Sequence, residues 1–291
     1  MLTGSRLFRC GVLALGLSSC AQGEATRAAP PPAASAPAWA EPPNLHKVRF
    51  VPVAKGVELE ALDWGGAGPP VVFLAGLGGT AHVFDEFAPA LADRFHVYGV
   101  TRRGNGRSSV PDAGYDLPTL VLDLLHALDG LGLGRVSLVG HSAAGEELTS
   151  FAGDHPGRVD RLVYLDAAYD RSDPSSRPGA DCSNVEPPVE GDLASPASFG
   201  AWFERSRGVR LPEGEVHMLF DHHGPPEAAF HEYMKSLRRP DYSRVRAPAL
   251  AFYAVPASAA DFYPAWARMD EPARAKARAC FEREQKAVGE A

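Results

Sequence analysis

Several things are scarce in this 291-residue chain, and each scarcity narrows its class. Lysine and arginine number 29 against 36 aspartate and glutamate residues, a net charge of −7. No basic stripe interrupts that balance, so a nucleic-acid partner is not expected. Cysteines number four, two of them within the first 20 residues. Only Cys182 and Cys280 remain to pair in a folded domain, and either a disulfide or two separate thiols fits the sequence. The apolar stretch at residues 11–17 is too short to span a bilayer. Histidine is absent beyond His231. What is left, 45% hydrophobic and 22% charged, is ordinary globular composition for one large domain or two small ones.

The first residues read as a targeting segment. Arg6 and Arg9 precede the apolar stretch, and Leu17-Ser18-Ser19-Cys20 follows it. That pattern resembles the lipobox of bacterial lipoproteins, which implies a signal peptide over 1–19 and lipidation of Cys20. An ordinary signal peptide cut near Ala21 is the alternative. Both readings export the chain to the cell envelope, and the first anchors it to a membrane only through the lipid. Residues 20–43 are rich in Ala, Pro and Ser without apolar periodicity, as in a semi-rigid tether. The folded domain is expected over 44–291.

Within it, 47–53 and 57–63 read as an antiparallel strand pair around Ala54-Lys55-Gly56. Strands are expected at 70–74, 96–100, 136–139, 161–166 and 249–255, those at 70–74 and 136–139 as buried ones. A helix is expected over about 83–91, and others at 117–128, after 145 and over 272–288. Alternation of strand and helix predicts a mostly parallel sheet with helices on both faces.

The stretch 135–145, RVSLVGHSAAG, organises the remainder. A strand runs into a small-residue turn with a central serine, and a helix follows, the context a nucleophile elbow requires. Gly140 and Ala144 keep the flanks small, and Gly145 follows. The stretch resembles the elbow of the α/β-hydrolase superfamily in its Gly-His-Ser-x-Gly-Gly variant, with Ala144 in place of the first closing glycine. The order around it matches as well: a strand with a glycine-rich turn (71–80), a strand with Arg-Gly-x-Gly-x-Ser (97–109), the elbow (136–145), then a strand ending in Leu-Asp. The resemblance covers about 47–288. The Pro/Gly-rich segment 171–246, with Phe199, Trp202, Phe203, Phe220, Phe230 and Tyr233, resembles the lid of these enzymes.

The resemblance implies a serine hydrolase of esters or related acyl compounds that works without cofactor or metal. Ser142 matches the nucleophile. The backbone N–H groups of Leu77 and Ala143 match the oxyanion donors, with Ala75 where the family usually has histidine. The acid usually follows the seventh strand, where the first carboxylate here is Asp261. Asp166, at the end of the sixth strand, is the preferred alternative and Asp170 a further one. The aromatic lid implies a small, mostly apolar substrate. The family's catalytic histidine follows an eighth strand, and no histidine of this chain matches it. The expectation is a C-terminally incomplete fold; a lid histidine such as His231 acting as a substitute base is an alternative reading. A non-catalytic envelope protein binding a small ligand is the alternative function. His82, His96 and His126 read as ordinary surface or helix residues, the 101–108 loop as structural, and Glu146-Glu147 as a solvated helix start.

Overall fold

A computed structural model describes residues 45–173, 186–222 and 224–289. The expected leader, its tether with Cys20, and Cys182 lie outside the described residues. The sheet has seven strands: β1 (Lys47–Ala54), β2 (Val57–Gly65), β3 (Pro70–Leu74), β4 (His96–Val100), β5 (Val136–His141), β6 (Val159–Leu165) and β7 (Ala249–Phe252). Their order is β1-β2-β4-β3-β5-β6-β7. β1 pairs antiparallel with β2, and β2 antiparallel with β4; every other pairing is parallel. The α/β-hydrolase fold expected from the sequence is the fold observed. The chain leaves β3 toward β4 on one side and crosses back to β5 on the other. A topological switch point therefore lies at the carboxyl ends of β3 and β5, where open α/β sheets bind ligands.

One face of the sheet packs on α1 (Leu117–Gly130) and α2 (Ala144–Asp154). Helix α1 begins where Asp116 accepts the Thr119 N–H and Pro118 tolerates the first turn. Its Leu117, Leu120, Val121, Leu124 and Leu128 bury the apolar stripe against Leu74, Val100 and Leu138. The opposite face, built from Leu62, Val71, Phe73, Val97 and Val139, is covered by Ala81, Phe84 and Ala88. The single helix expected over 83–91 is instead two 3-10 turns, Ala81–Phe84 and Ala88–Leu91. Thr80 caps the first from upstream by accepting the His82 N–H. Pro89 starts the second, and it cannot donate the backbone hydrogen bond that would join the two.

The segment between β6 and β7 contributes three helices, α3 (Pro196–Arg207), α4 (Glu213–Asp221) and α5 (Glu227–Ser236). Phe199 and Trp202 are buried against one another, and Phe199 also meets Phe220. They make the insert's own core. After β7 come α6 (Ala259–Phe262) and α7 (Glu271–Gly289), packed through Ala259, Tyr263, Ala277 and Cys280. Cys280 is disulfide-bonded. Unlike the strands expected to be buried, β7 is exposed along its length, with Leu250 and Phe252 more than half accessible. No helix among the described residues is long and apolar enough to cross a membrane.

Candidate active site

Ser142 follows β5 directly and has φ of +52°, a conformation that non-glycine residues seldom take. Its N–H donates to the Leu165 carbonyl at 3.1 Å, which continues the sheet ladder one step past the strand. The chain then reverses, with the Gly145 N–H donating to Ser142 O at 3.0 Å, and α2 begins. The reason for small flanking residues is visible. A Cβ on Gly140 would lie 2.9 Å from both the Ala144 Cβ and a Leu148 methyl. A Cβ on Gly145 would lie 1.9 Å from the Ala167 carbonyl oxygen. Ala144 itself is buried without conflict, so the glycine one position later is the one the turn requires.

Across from the elbow stands the turn after β3. A Cβ on Gly76 would come 3.2 Å from the Ser142 Cβ and 3.0 Å from His141 Nδ1, so this turn lies directly against the serine. Gly79 N–H closes on Gly76 O at 3.2 Å, and Gly78 sits at φ of +78°. Among the described residues, neither the Leu77 N–H nor the Ala143 N–H is hydrogen-bonded to a protein acceptor. Both belong to the two turns that meet at Ser142, and Ala143 stands at the start of α2, where the helix dipole adds positive potential.

Asp166 occupies the equivalent place on the neighbouring strand. His141 and Leu165 are register partners, so Ser142 and Asp166 each follow a paired residue, and Asp166 also has φ of +52°. Its N–H donates to Phe252 O at 2.7 Å. Its carboxylate accepts the Tyr169 hydroxyl at 2.6 Å and the Ala254 N–H at 3.3 Å. Asp261 is elsewhere, exposed in the first turn of α6 and bonded to Ser258. Asp170 accepts from the N–H and hydroxyl of Ser172.

No described histidine hydrogen-bonds Ser142. His217 pairs with Asp221 within α4. His231 is exposed on α5 beside Phe230. His223 lies outside the described residues. From α5 the insert does reach the elbow through Tyr233, which is buried and donates its hydroxyl to Ala143 O at 3.1 Å.

The surroundings of the turn after β3 correct two sequence expectations. His82 is not a surface residue; it is fully buried. Its Nδ1 lies 2.9 Å from Asp85, its Nε2 lies 3.5 Å from Glu60, and Arg107 bonds Glu60. Burial works against the charged imidazole, but the carboxylates of Asp85 and Glu60 outweigh it and raise its pKa to about 9. Glu146 and Glu147 are not a solvated helix start either. Both are buried, Glu147 on Arg102 and Glu146 on Arg171. The 101–107 loop is structural, as expected: Arg102 bonds Glu147 and Gly76 O, Arg103 clasps Asp123, and Arg107 bonds Glu60.

His46, His82 and Asp85 bring ligand-type atoms within 4.8 Å of one another. Asp85 already accepts the Trp64 indole N–H, and the Arg107 guanidinium stands 3.4 Å from His82 Nε2. Protein cations thus neutralise this cluster, which reads as an ionic core and not as a metal centre.

Glu215, on α4, carried no sequence signal at all. Its carboxylate accepts the Thr80 N–H at 3.0 Å and the Thr80 hydroxyl in a short contact.

Residues 69–223, just over half the chain, match the family defined by the alpha/beta hydrolase fold. The chain belongs to that family. A protein of Caulobacter segnis that carries the name carbamate hydrolase RutD is 35% identical over 122 residues, 41% of this chain and 45% of that relative. The 2-(acetamidomethylene)succinate hydrolase of Mesorhizobium japonicum is 32% identical over 101 residues, 35% of this chain and 36% of its own length. The chain thus spans under half the length of these curated relatives. The crystal structure of a hydrolase from Pseudomonas aeruginosa PA01 superposes with a TM-score of 0.54 at 23% identity, covering 81% of this chain and 98% of that one. It shares the fold.

Proposed function

We propose that the chain is a serine hydrolase of ester or related acyl substrates, with Ser142 as nucleophile. The observation that carries this is the positive-φ serine between β5 and α2, with the Gly76 turn against it. Ser142 Oγ attacks the substrate carbonyl carbon while its proton passes to a base. The Leu77 and Ala143 N–H groups receive the oxyanion. The carbonyl then re-forms, the bond to the leaving alcohol breaks, and the alcohol departs with a proton. Water attacks the acyl-Ser142 ester, the acid leaves, and Ser142 regains its proton. Asp166 is the acid of this reading, because it shares the sheet edge with Ser142 whereas Asp261 is bound into α6. Its part is to orient the base and stabilise the base's charge. Phe199, Trp202 and Phe220 are spent on the insert's own core and Tyr233 on the elbow backbone, so the substrate is specified here only as an acyl compound.

Export and anchoring at Cys20 belong to the same proposal. The disulfide at Cys280 fits an oxidising compartment. A globomycin-sensitive precursor and a lipid on Cys20 are the expected signs, and an unmodified mature N-terminus at Ala21 would remove the anchor.

A fluorophosphonate probe tests the chemistry. The expected result is stoichiometric labelling localised by mass spectrometry to Ser142, abolished in Ser142→Ala and slowed at least ~tenfold in Asp166→Asn. A folded sample that takes up no label would sink the proposal and favour a ligand-binding relative.

A further inference from the structure

Two carboxylates, from two different parts of the chain, hold the turn that presents Leu77. At the turn's start, Gly76 O accepts from Arg102, which is itself fixed by Glu147 on α2. At its end, the holder is Glu215, 135 positions away on α4 of the insert. We propose that Glu215 is a positioning residue for the oxyanion turn, so that seating of the insert and assembly of the hole are one event. The assignment rests on the serine-hydrolase reading and deepens it.

The turn contains Gly76, Gly78 and Gly79, and glycines leave a loop many conformations unless something selects one. Its internal bond, Gly79 N–H to Gly76 O, closes the middle, and beyond the exit the Ala81 N–H donates to Thr101 Oγ1 at 3.0 Å, which leaves Thr80 itself to be fixed. Glu215 fixes that exit twice, through the backbone N–H and through the hydroxyl. Thr80 in turn accepts the His82 N–H, which locks the exit to the 3-10 turn beyond. Glu215 is 1% exposed, and its Oε1 would lie 3.4 Å from a Cβ on Gly79. Beside it, a Cβ on Gly214 would come 2.7 Å from Asp85 Oδ2 and 2.9 Å from His82 Nδ1. Helix α4 therefore sits hard against the ionic core, and the contact is not a surface touch. An oxyanion donor acts only where its N–H meets developing charge within a few tenths of an ångström. A turn released at one end meets that condition only part of the time.

The groups around Glu215 are Thr80 and Gly79 on the turn, His82 and Asp85 on the 3-10 turn, and Glu60 and Arg107 behind them. Burial pushes the Glu215 carboxyl up to about 7, against the hydrogen bonds from Thr80. Protonation removes an acceptor from one of the two Thr80 bonds, so the hold on the turn is pH-sensitive near neutrality.

The experiment uses the full chain and the fluorophosphonate probe, whose phosphoryl oxygen enters the same hole. The saturating phosphonylation rate and the probe's apparent affinity are measured separately across pH 5.5–9. Glu215→Ala is expected to lower the saturating rate ~10–100-fold with affinity changed less than about threefold. Glu215→Gln, which still accepts the Thr80 N–H, is expected to recover most of the rate and to flatten its dependence on pH near 7. Should Glu215→Ala fail to fold, Thr80→Val carries the test, with an expected loss of ~5–10-fold in rate. Folded Glu215→Ala (or, in its place, Thr80→Val) that labels Ser142 within about twofold of the wild-type rate overturns this assignment alone. An unlabelled wild type overturns the serine-hydrolase reading and this assignment with it.

Discussion

The two turns that meet at Ser142 are built by different physics. The elbow, 140–145, is mainly a steric object: its tightest constraints come from atoms within a few residues or just past the adjoining strand, and one distant hydrogen bond, from Tyr233 to Ala143 O, is added to them. Gly140 faces Ala144 and Leu148, and Gly145 faces the Ala167 carbonyl. The turn after β3 is a polar object. It is held by Arg102 with Glu147 and by Glu215, from α2 and α4. Sterics of the first kind depend on side-chain size at fixed spacing, and they survive sequence change only as small residues. Charges of the second kind can be supplied from anywhere in the chain.

The largest expected effect lies on the polar side. Arg102→Met leaves Glu147, 2% exposed, without its cation, and breaking one member of a buried pair costs ~3–5 kcal/mol. The double variant Arg102→Met/Glu147→Leu is expected to recover most of that loss in a denaturant titration, because buried ion pairs seldom outdo apolar replacements. It is not expected to recover phosphonylation of Ser142, because Gly76 O has still lost its donor. Recovery of both together would erase the distinction between the two turns.

Next in size is Gly145→Ala. The new Cβ would overlap the backbone carbonyl of Ala167, which has no rotamer to yield, so ~3 kcal/mol or more of destabilisation is expected. Gly140→Ala meets side chains instead, and the expected cost is ~1–3 kcal/mol. Pairing it with Ala144→Gly removes one of the two clashing partners and should return part of the loss. A strictly additive double variant would show that Leu148 alone sets the limit.

This contrast also explains what could be read in advance. Strands β3 to β6, helices α1 and α2, and the elbow were legible, because apolar periodicity and small-residue spacing are local signals. Ser142 and its turn came from the same source, whereas Leu77 and Ala143 came from the resemblance to the family's oxyanion donors. His82 and Glu147 were misplaced because their surroundings are set by tertiary partners: an isolated His-x-x-Asp or Glu-Glu pair looks solvated until Glu60, Arg102 and Arg107 arrive from elsewhere. Glu215 was invisible for the same reason, at its extreme of 135 positions. The 83–91 segment was misread because an apolar helix-like pattern does not reveal that Thr80 starts a short turn upstream of it and Pro89 starts a second one within it.

The smallest expected effect is the pH dependence of stability, and it again separates the two turns. His82 is raised to about 9 from an ordinary value near 6.5 by Asp85 and Glu60, over the opposing effect of burial. A raised pKa means that the folded protein binds the proton more tightly than the unfolded chain. Its contribution is therefore complete below about pH 6.5 and is lost as pH rises through about 9, with an upper bound of ~3 kcal/mol. Glu215, raised to about 7 from 4.5 by burial, acts with the same sign in a lower window: its contribution is complete below about pH 4.5 and gone above about 7. Within the elbow the titratable group is His141, whose pKa burial lowers from the ordinary 6.5, so it acts with the opposite sign to His82 and Glu215. Denaturant midpoints at pH 5.5, 7.5 and 9.5 should fall steadily for the wild type. His82→Gln should be less stable at pH 7.5 but should lose most of the further decline toward pH 9.5. An undiminished decline in that variant would mean that the ionic core is not what titrates, and that the polar turn is no more sensitive to pH than the steric one.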